Sequence, residues 1–254
     1  MAGKENARMM KKLLLLLLFL LLLLPMTAGA DTEFQMTDKL SSRWVMMGGE
    51  HFWYLPKVEE GEQVPLILFL HGGDHTPTLD FFPHEIRFEH KEYPFAVLAP
   101  KNDNGTWLTI IEETICTLEY VLQNYPIDRS RVYILGPSAG GIGAYAIAAA
   151  YPDYFAAICP IAGRGSTSLA PNLVNVPVWA FHGTADERVS YYDDENLINA
   201  IKALGGDAKL RTFKGGDHFR PCTYAEYYID QLIDWMMQYS KDPVTHVLTK
   251  TPNE

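Results

Sequence analysis

The stretch Arg131–Ala150, RVYILGPSAGGIGAYAIAAA, decides how this chain is read. Arg131–Leu135 has the apolar, β-branched and aromatic character of a strand. Gly140–Ala150 is small and Ala-rich, which suits a helix packed closely on a sheet. Between them lies Gly136-Pro137-Ser138-Ala139-Gly140, a G-x-S-x-G motif with a strand before it and a helix after it. A serine carried on so tight a strand-to-helix turn needs neighbours without bulk. Gly136 and Gly140 flank Ser138 at two residues' distance, and Ala139, Gly141, Gly143 and Ala144 let the following helix lie close to the sheet. Ser138 is therefore the candidate nucleophile.

Strands and helices alternate outward from this point. Arg43–Met47 and His51–Leu55 flank Gly48-Gly49 as a hairpin would. Val64–Leu70 is a continuous apolar run, the pattern of a strand buried on both faces. Phe95–Ala99, Phe155–Ile161 and Val176–Phe181 read the same way, and Lys209–Phe213 alternates like a strand nearer an edge. Thr109 to Glu112 resembles a capping box opening a helix whose apolar positions are Ile111, Ile115, Leu118 and Leu122. Asn196–Leu204 predicts an amphipathic helix stopped by Gly205-Gly206, and Tyr224–Tyr239 predicts a closing aromatic-rich helix. Residues 243–254 read as a loose tail. This order predicts an α/β fold: one domain, with a mostly parallel central sheet and helices on both faces. In such sheets the chemistry belongs at the carboxyl ends of the strands.

A serine hydroxyl needs a base to take its proton, and the base needs an acid to orient it. The expected chain order is Ser, then Asp or Glu, then His. Val176–Phe181 runs into His182-Gly183-Thr184-Ala185-Asp186, and Lys209–Phe213 runs into Lys214-Gly215-Gly216-Asp217-His218. Asp186 is the favoured acid, with Glu187 and Asp193 as alternatives, and His218 is the favoured base. Asp217 is read as a loop anchor and His182 as a supporting or structural residue. Acyl transfer also needs donors for a developing oxyanion. The backbone N–H of Ala139 is one, and the N–H of Gly73, in the His71-Gly72-Gly73 turn after Val64–Leu70, is the other, with Gly72 as the alternative.

Other classes are disfavoured. The 254 residues are 48% apolar and 20% charged, a globular composition, and the formal net charge of −10 with no basic patch argues against a nucleic-acid partner. His71, His75, His84 and His90 with Asp74 and Glu85 are spaced too irregularly to define a metal site, and no dinucleotide or P-loop fingerprint is present. No cofactor is expected. Cys116, Cys159 and Cys222 are an odd number. Cys159 lies in an apolar run and reads as a core thiol, and Cys116 with Cys222 stays open as a candidate pair.

The first thirty residues read as an address signal. Lys4, Arg8, Lys11 and Lys12 precede an apolar run at 13–24 of eleven Leu and Phe19, then Thr27-Ala28-Gly29-Ala30. A basic start, a short apolar run and an A-x-A ending describe a secretory signal peptide. Twelve helical residues span about 18 Å against about 30 Å of hydrocarbon, too short for a stable span. Cleavage after Ala30 starts the mature chain at Asp31 with a net charge of −13 and implies a secreted or periplasmic protein.

Taken together, PLILFLHGG (65–73), FAVLAPKNDNGTW (95–107), residues 127–163, VPVWAFHGTADERV (176–189) and GGDHF (215–219) resemble the α/β-hydrolase fold. More narrowly the chain is similar to secreted esterases grouped with polyhydroxybutyrate-depolymerase-like and feruloyl-esterase-like proteins, some of them described as predicted peptidases. The resemblance implies a triad of Ser138, Asp186 and His218. It also implies a carboxylic ester hydrolase acting on small-molecule or polymer-borne esters, polysaccharide-linked acyl esters among them. A serine peptidase of the same fold is the alternative, and a non-catalytic carbohydrate-binding relative is a third reading. The chain departs from the family pattern at Pro137, before the serine, and in having no large lid: only a short Gly/Ser/Pro-rich loop joins Ile161 to Val176. Trp107, with Phe81 and Phe82, is assigned to the acyl pocket.

Overall fold

The computed structural model describes residues 34–35, 44–47, 51–73, 93–102 and 106–251. The expected signal peptide, the Gly48-Gly49 turn, His75, His84, His90, Asp74, Glu85, Phe81 and Phe82 lie outside the described residues.

Among the described residues nine strands form one sheet: β1 (Phe34–Gln35), β2 (Trp44–Met47), β3 (His51–Tyr54), β4 (Val64–Phe69), β5 (Ala96–Pro100), β6 (Ile127–Pro137), β7 (Ala157–Ile161), β8 (Val178–Gly183) and β9 (Ala208–Phe213). Their order is β1-β2-β3-β5-β4-β6-β7-β8-β9. β2 and β3 pair antiparallel with Met47 opposite His51, as a hairpin requires, and β3 runs antiparallel to β5. From β5 through β4 to β9 every pairing is parallel. Parallel neighbours demand crossover connections, and those crossovers supply the helices. β4, β5 and β7 are buried almost throughout, which is why their sequences are continuous apolar runs.

The helices are α1 (Ile111–Asn124), α2 (Ala139–Ala150), α3 (Ala170–Leu173), α4 (Tyr191–Ala203), α5 (Phe219–Tyr227) and α6 (Ile229–Met236). α1, α2, α3 and α4 contribute to the core on one face of the sheet, where Leu118, Ile147, Leu173 and Ile198 meet Leu66, Leu68 and Ile134. α5 and α6 cover the other face, where Ile229, Leu232 and Met236 meet Ile67, Tyr133 and Phe181. No helix among the described residues is long and apolar enough to cross a membrane.

Several local expectations are corrected. Thr109 does not cap α1; the N-cap is Ile110, without a side-chain bond. The hydroxyl of Thr106 instead caps a 3₁₀ turn at Trp107–Thr109, and Thr109 donates back to the Thr106 carbonyl. α4 begins five residues before Asn196 because Ser190 caps it and Asp194 turns inward, hiding the apolar period behind three acidic residues. The closing helix is two helices that meet at Tyr228, and α5 starts early because Asp217 accepts from the N–H groups of Phe219 and Arg220. The Ile161–Val176 connection is not a plain loop: it holds a 3₁₀ turn at Thr167–Leu169 and then α3. The tail is not loose either. β11 (Leu248–Lys250) pairs antiparallel with β10 (Tyr239–Lys241), and Asp242 caps the turn between them.

All three cysteines are free thiols. α1, which carries Cys116, and α5, which carries Cys222, lie on opposite faces of the sheet, so the candidate bridge does not form. Burial pushes the Cys222 thiol up to about 12 and holds buried Cys159 well above its ordinary value. Iodoacetamide at about pH 8 is expected to label exposed Cys116 in the native protein and to reach Cys159 and Cys222 only after unfolding, as read by peptide mass spectrometry.

Candidate active site

The carboxyl ends of β4, β6, β8 and β9 carry the residues singled out above. At the end of β6, Ser138 sits in the left-handed region with φ 53° and ψ −116°. Two backbone bonds hold it there: its N–H donates to the Ile161 carbonyl at 2.7 Å, and its carbonyl accepts from Ile142 N–H at 3.0 Å. The flanking glycines are a steric necessity. A Cβ on Gly140 would stand 1.8 Å from the Leu70 carbonyl oxygen, and one on Gly136 would stand 2.7 Å from the Gly140 backbone. Pro137 extends β6 by pairing with Ile161 and does not disturb the turn.

The three residues expected to work together do meet. Ser138 Oγ lies 2.9 Å from His218 Nε2, and His218 Nδ1 lies 2.7 Å from Asp186 Oδ2. A carboxylate only accepts, so Nδ1 carries the proton and Nε2 faces the serine hydroxyl as acceptor. Asp186 Oδ1 accepts from the N–H groups of Arg188 at 2.8 Å and Val189 at 2.9 Å. Its side chain is fully covered. Burial alone would raise its pKa, but the Val189 N–H, the His218 ring and the Arg188 N–H outweigh that and hold it below the usual carboxylate value. Neither alternative acid takes this place: Glu187 is exposed, and Asp193 lies 3.7 Å from Arg164.

Gly73 comes to the same corner, its notional Cβ 4.0 Å from that of Ala139. Three residues lock the turn that carries it. Buried His71 accepts from Asn102 N–H through Nε2 at 3.0 Å, and its Nδ1 donates to the Gly72 carbonyl at 2.7 Å. Trp107 Nε1 donates to the His71 carbonyl at 3.0 Å. Trp107 is only 1% exposed, meets the His71 ring edge-on, and packs so tightly on α2 that a Cβ on Gly143 would stand 2.6 Å from its own Cβ. It is thus a core residue clamping the Gly73 turn to α2, where an acyl-pocket lining was expected. Sequence reasoning missed Asn102, and no residue type signals it, because the contact to His71 is made by its backbone N–H.

His182 was read as supporting, and it is buried beneath the acid. Its Nδ1 lies 2.9 Å from Asp194 Oδ2, and its Nε2 lies 3.2 Å from the Val189 carbonyl and 3.2 Å from Asp186 Oδ2. Tyr145 O–H donates to the other oxygen of Asp194. Burial alone would lower the His182 pKa; Asp194, the Val189 carbonyl and Asp186 more than reverse it. Burial raises Asp194, with His182 and Tyr145 offsetting only part. Beyond Ser138, a cleft of about 630 Å³ begins one turn along α2 at Ile142; Leu108, Ala146 and Leu169 give it apolar walls, and Arg164 and Asp193 give it polar ones. Among the described residues no cluster of His, Cys, Asp or Glu is arranged to hold a metal ion.

The profile of the prolyl oligopeptidase family matches residues 100–170 and 164–243, more than half of the chain. The chain belongs to that family. It is 27% identical over 140 residues to a bifunctional acetylxylan esterase/xylanase of Neocallimastix patriciarum, covering 53% of this chain and 21% of that protein. It is 55% identical over 40 residues to poly(3-hydroxyalkanoate) depolymerase C of Paucimonas lemoignei, 16% of this chain and 10% of that one. The chain thus spans about a fifth of the length of the first of these curated relatives and a tenth of the second. A thermostable esterase superposes with a TM-score of 0.65 at 24% identity, covering 75% of this chain and 59% of that one. The fold is that of the α/β hydrolases, and the family is one of esterases and peptidases.

Two outcomes follow from this geometry. Trp107→Phe keeps the bulk but leaves the His71 carbonyl without its donor, so it is expected to cost about 1–3 kcal/mol in denaturant unfolding. A residue that only lined a pocket would change substrate preference at unchanged stability. Asp186→Asn is expected to lower Tm at neutral pH. Because the folded-state pKa of Asp186 is depressed, its contribution is fully present above the unfolded value of 3.8 and is lost as pH falls through the lower folded value. The Tm gap between wild type and variant should therefore close in that acid window.

Proposed function

We propose that the protein is a secreted serine carboxylic ester hydrolase, with Ser138 as nucleophile, His218 as base, Asp186 as orienting acid, and Asp31 as the first mature residue. The observation that carries the reading is the continuous line Ser138–His218–Asp186, with contacts of 2.9 and 2.7 Å. His218 Nε2 takes the hydroxyl proton as Ser138 Oγ attacks the ester carbonyl carbon. The N–H groups of Ala139 and Gly73 hold the oxyanion, which forms close to the N-terminus of α2. The C–O bond breaks, and His218 gives its proton to the departing alcohol. Water, deprotonated by the same nitrogen, then releases the acid and restores Ser138.

The substrates are acyl esters borne on polysaccharide. The similarity to a protein named as an acetylxylan esterase supports this. No cofactor enters any step. A serine peptidase is the second reading, favoured by the family to which the chain belongs. Both readings share the nucleophile and differ in the leaving group.

Mature protein from Asp31 is expected to hydrolyse short-chain p-nitrophenyl esters and acetylated xylan, and Ser138→Ala to lose at least about a thousandfold in kcat while keeping its fold. Turnover of acylated peptides in place of esters would move the peptidase reading to the front, and an alanine variant as active as wild type would remove Ser138 from both.

A further inference from the structure

His182 is a buried titratable side chain that the proposed chemistry leaves unused. It lies at the end of β8, on the same strand-to-loop connection as Asp186, and its side chain has no exposure. Its ring is held on two edges. Nε2 faces only acceptors, the Val189 carbonyl and Asp186 Oδ2, each at 3.2 Å, so this nitrogen bears a proton. Nδ1 faces Asp194, whose far oxygen is taken by Tyr145 O–H from α2. The ring of Tyr191, on α4, closes the site edge-on at 5.9 Å.

Val189 makes the arrangement a closed circuit. Its carbonyl accepts from His182, while its N–H donates to Asp186 Oδ1. Asp186 is thus gripped on one oxygen by backbone N–H groups whose peptide segment His182 anchors. Its other oxygen lies between His218 Nδ1 and His182 Nε2. A shift of the His182 ring would displace both oxygens. The anchors behind that ring come from α2 and α4, so the acid's position is tied to the helix that begins just after Ser138.

Resting on the esterase reading above, we propose that His182 is a positioning residue: its Nε2 edge fixes the Asp186–Val189 turn so that the Asp186 carboxylate meets His218, and Asp194 with Tyr145 fixes the ring from behind. Packing alone would make the shape of His182 matter; this proposal makes one nitrogen matter. Gln and Asn separate the two. The Gln amide nitrogen reaches the place of Nε2, whereas the Asn amide reaches only that of Nδ1.

The test compares wild type, Ser138→Ala, His182→Asn and His182→Gln in p-nitrophenyl acetate turnover, with folding followed by circular dichroism. His182→Asn is expected to lower kcat by about 10- to 100-fold with KM unchanged within about twofold, and His182→Gln to recover most of kcat. In proton NMR, the far-downfield resonance of the His218–Asp186 bond is expected to persist in Ser138→Ala and His182→Gln and to move or vanish in His182→Asn. If His182→Asn does not fold, Asp194→Asn, which keeps the volume behind the ring, is expected to show the same fall in kcat at unchanged KM. A normal kcat and an unmoved resonance in whichever of the two folds, or equal impairment of the Asn and Gln variants, would overturn the proposal. A Ser138→Ala variant as active as wild type would instead sink the esterase reading itself.

Discussion

The site depends on a patch of bare backbone where β4, β6 and α2 converge. The Leu70 carbonyl, just past the end of β4, occupies the space that a side chain at Gly140 or Gly136 would need. Only with both positions bare does the chain turn from β6 into α2 without moving away from β4. The turn forces Ser138 to a positive φ, a conformation worth about 1–3 kcal/mol of strain for a residue with a Cβ. Parallel pairing on both sides of β6 holds it in place, and the bond from Ser138 N–H to Ile161 secures the turn from β7. Strain of this kind persists only where the surroundings over-determine it. A second close approach, between Gly141 and Gly163, presses the chain leaving β7 onto the start of α2. Strand order and nucleophile geometry are therefore one constraint.

That constraint explains which parts of the molecule could be read from sequence. The elbow was legible because sterics permit few residue types there, and the strands because burial on both faces leaves only apolar runs. Ser138, Asp186 and His218 were legible because each follows a strand end, and in a parallel sheet those ends lie on one edge. What escaped was set by contacts between distant segments. Thr109 has the spacing of a cap for α1 but donates its hydroxyl to the Thr106 carbonyl, and α1 has Ile110 as its N-cap without a side-chain bond. The first two turns of α4 carry three acidic residues, Asp193, Asp194 and Glu195, and only the inward partner His182 explains why Asp194 belongs to a buried face. The last strand pairs because Asp242 builds its turn and Thr251 donates to Gln238 across it, neither of which leaves an apolar signature.

Trp107 shows the same limit in the site itself. An aromatic residue after a loop near a strand end invites a substrate-facing role. What decides otherwise is the glycine at 143, thirty-six positions away, which makes room for the indole against α2. The indole N–H then satisfies a carbonyl in the turn that presents Gly73. The residue acts on the chemistry by holding a backbone donor still.

The acid is where electrostatics and topology meet. An acidic chain offers many carboxylates, and five fall between positions 186 and 195, three of them the aspartates Asp186, Asp193 and Asp194. Their fates diverge by what each can accept. Asp193 stays near solvent with Arg164 3.7 Å away. Asp194, fully buried, takes the Tyr145 hydroxyl and the His182 ring, and burial still raises its pKa. Asp186 alone has two backbone N–H groups on one oxygen and the His218 ring on the other, so it is covered and still held in its charged form. An acceptor on Nδ1 fixes the tautomer of the neutral His218 ring, so that Nε2 is the nitrogen turned toward Ser138 as acceptor. The backbone donors come from the turn that leaves β8, and β8 takes its place in the sheet from parallel pairing with β7 and β9. The tautomer of His218 therefore depends on strand order as directly as the strained serine does.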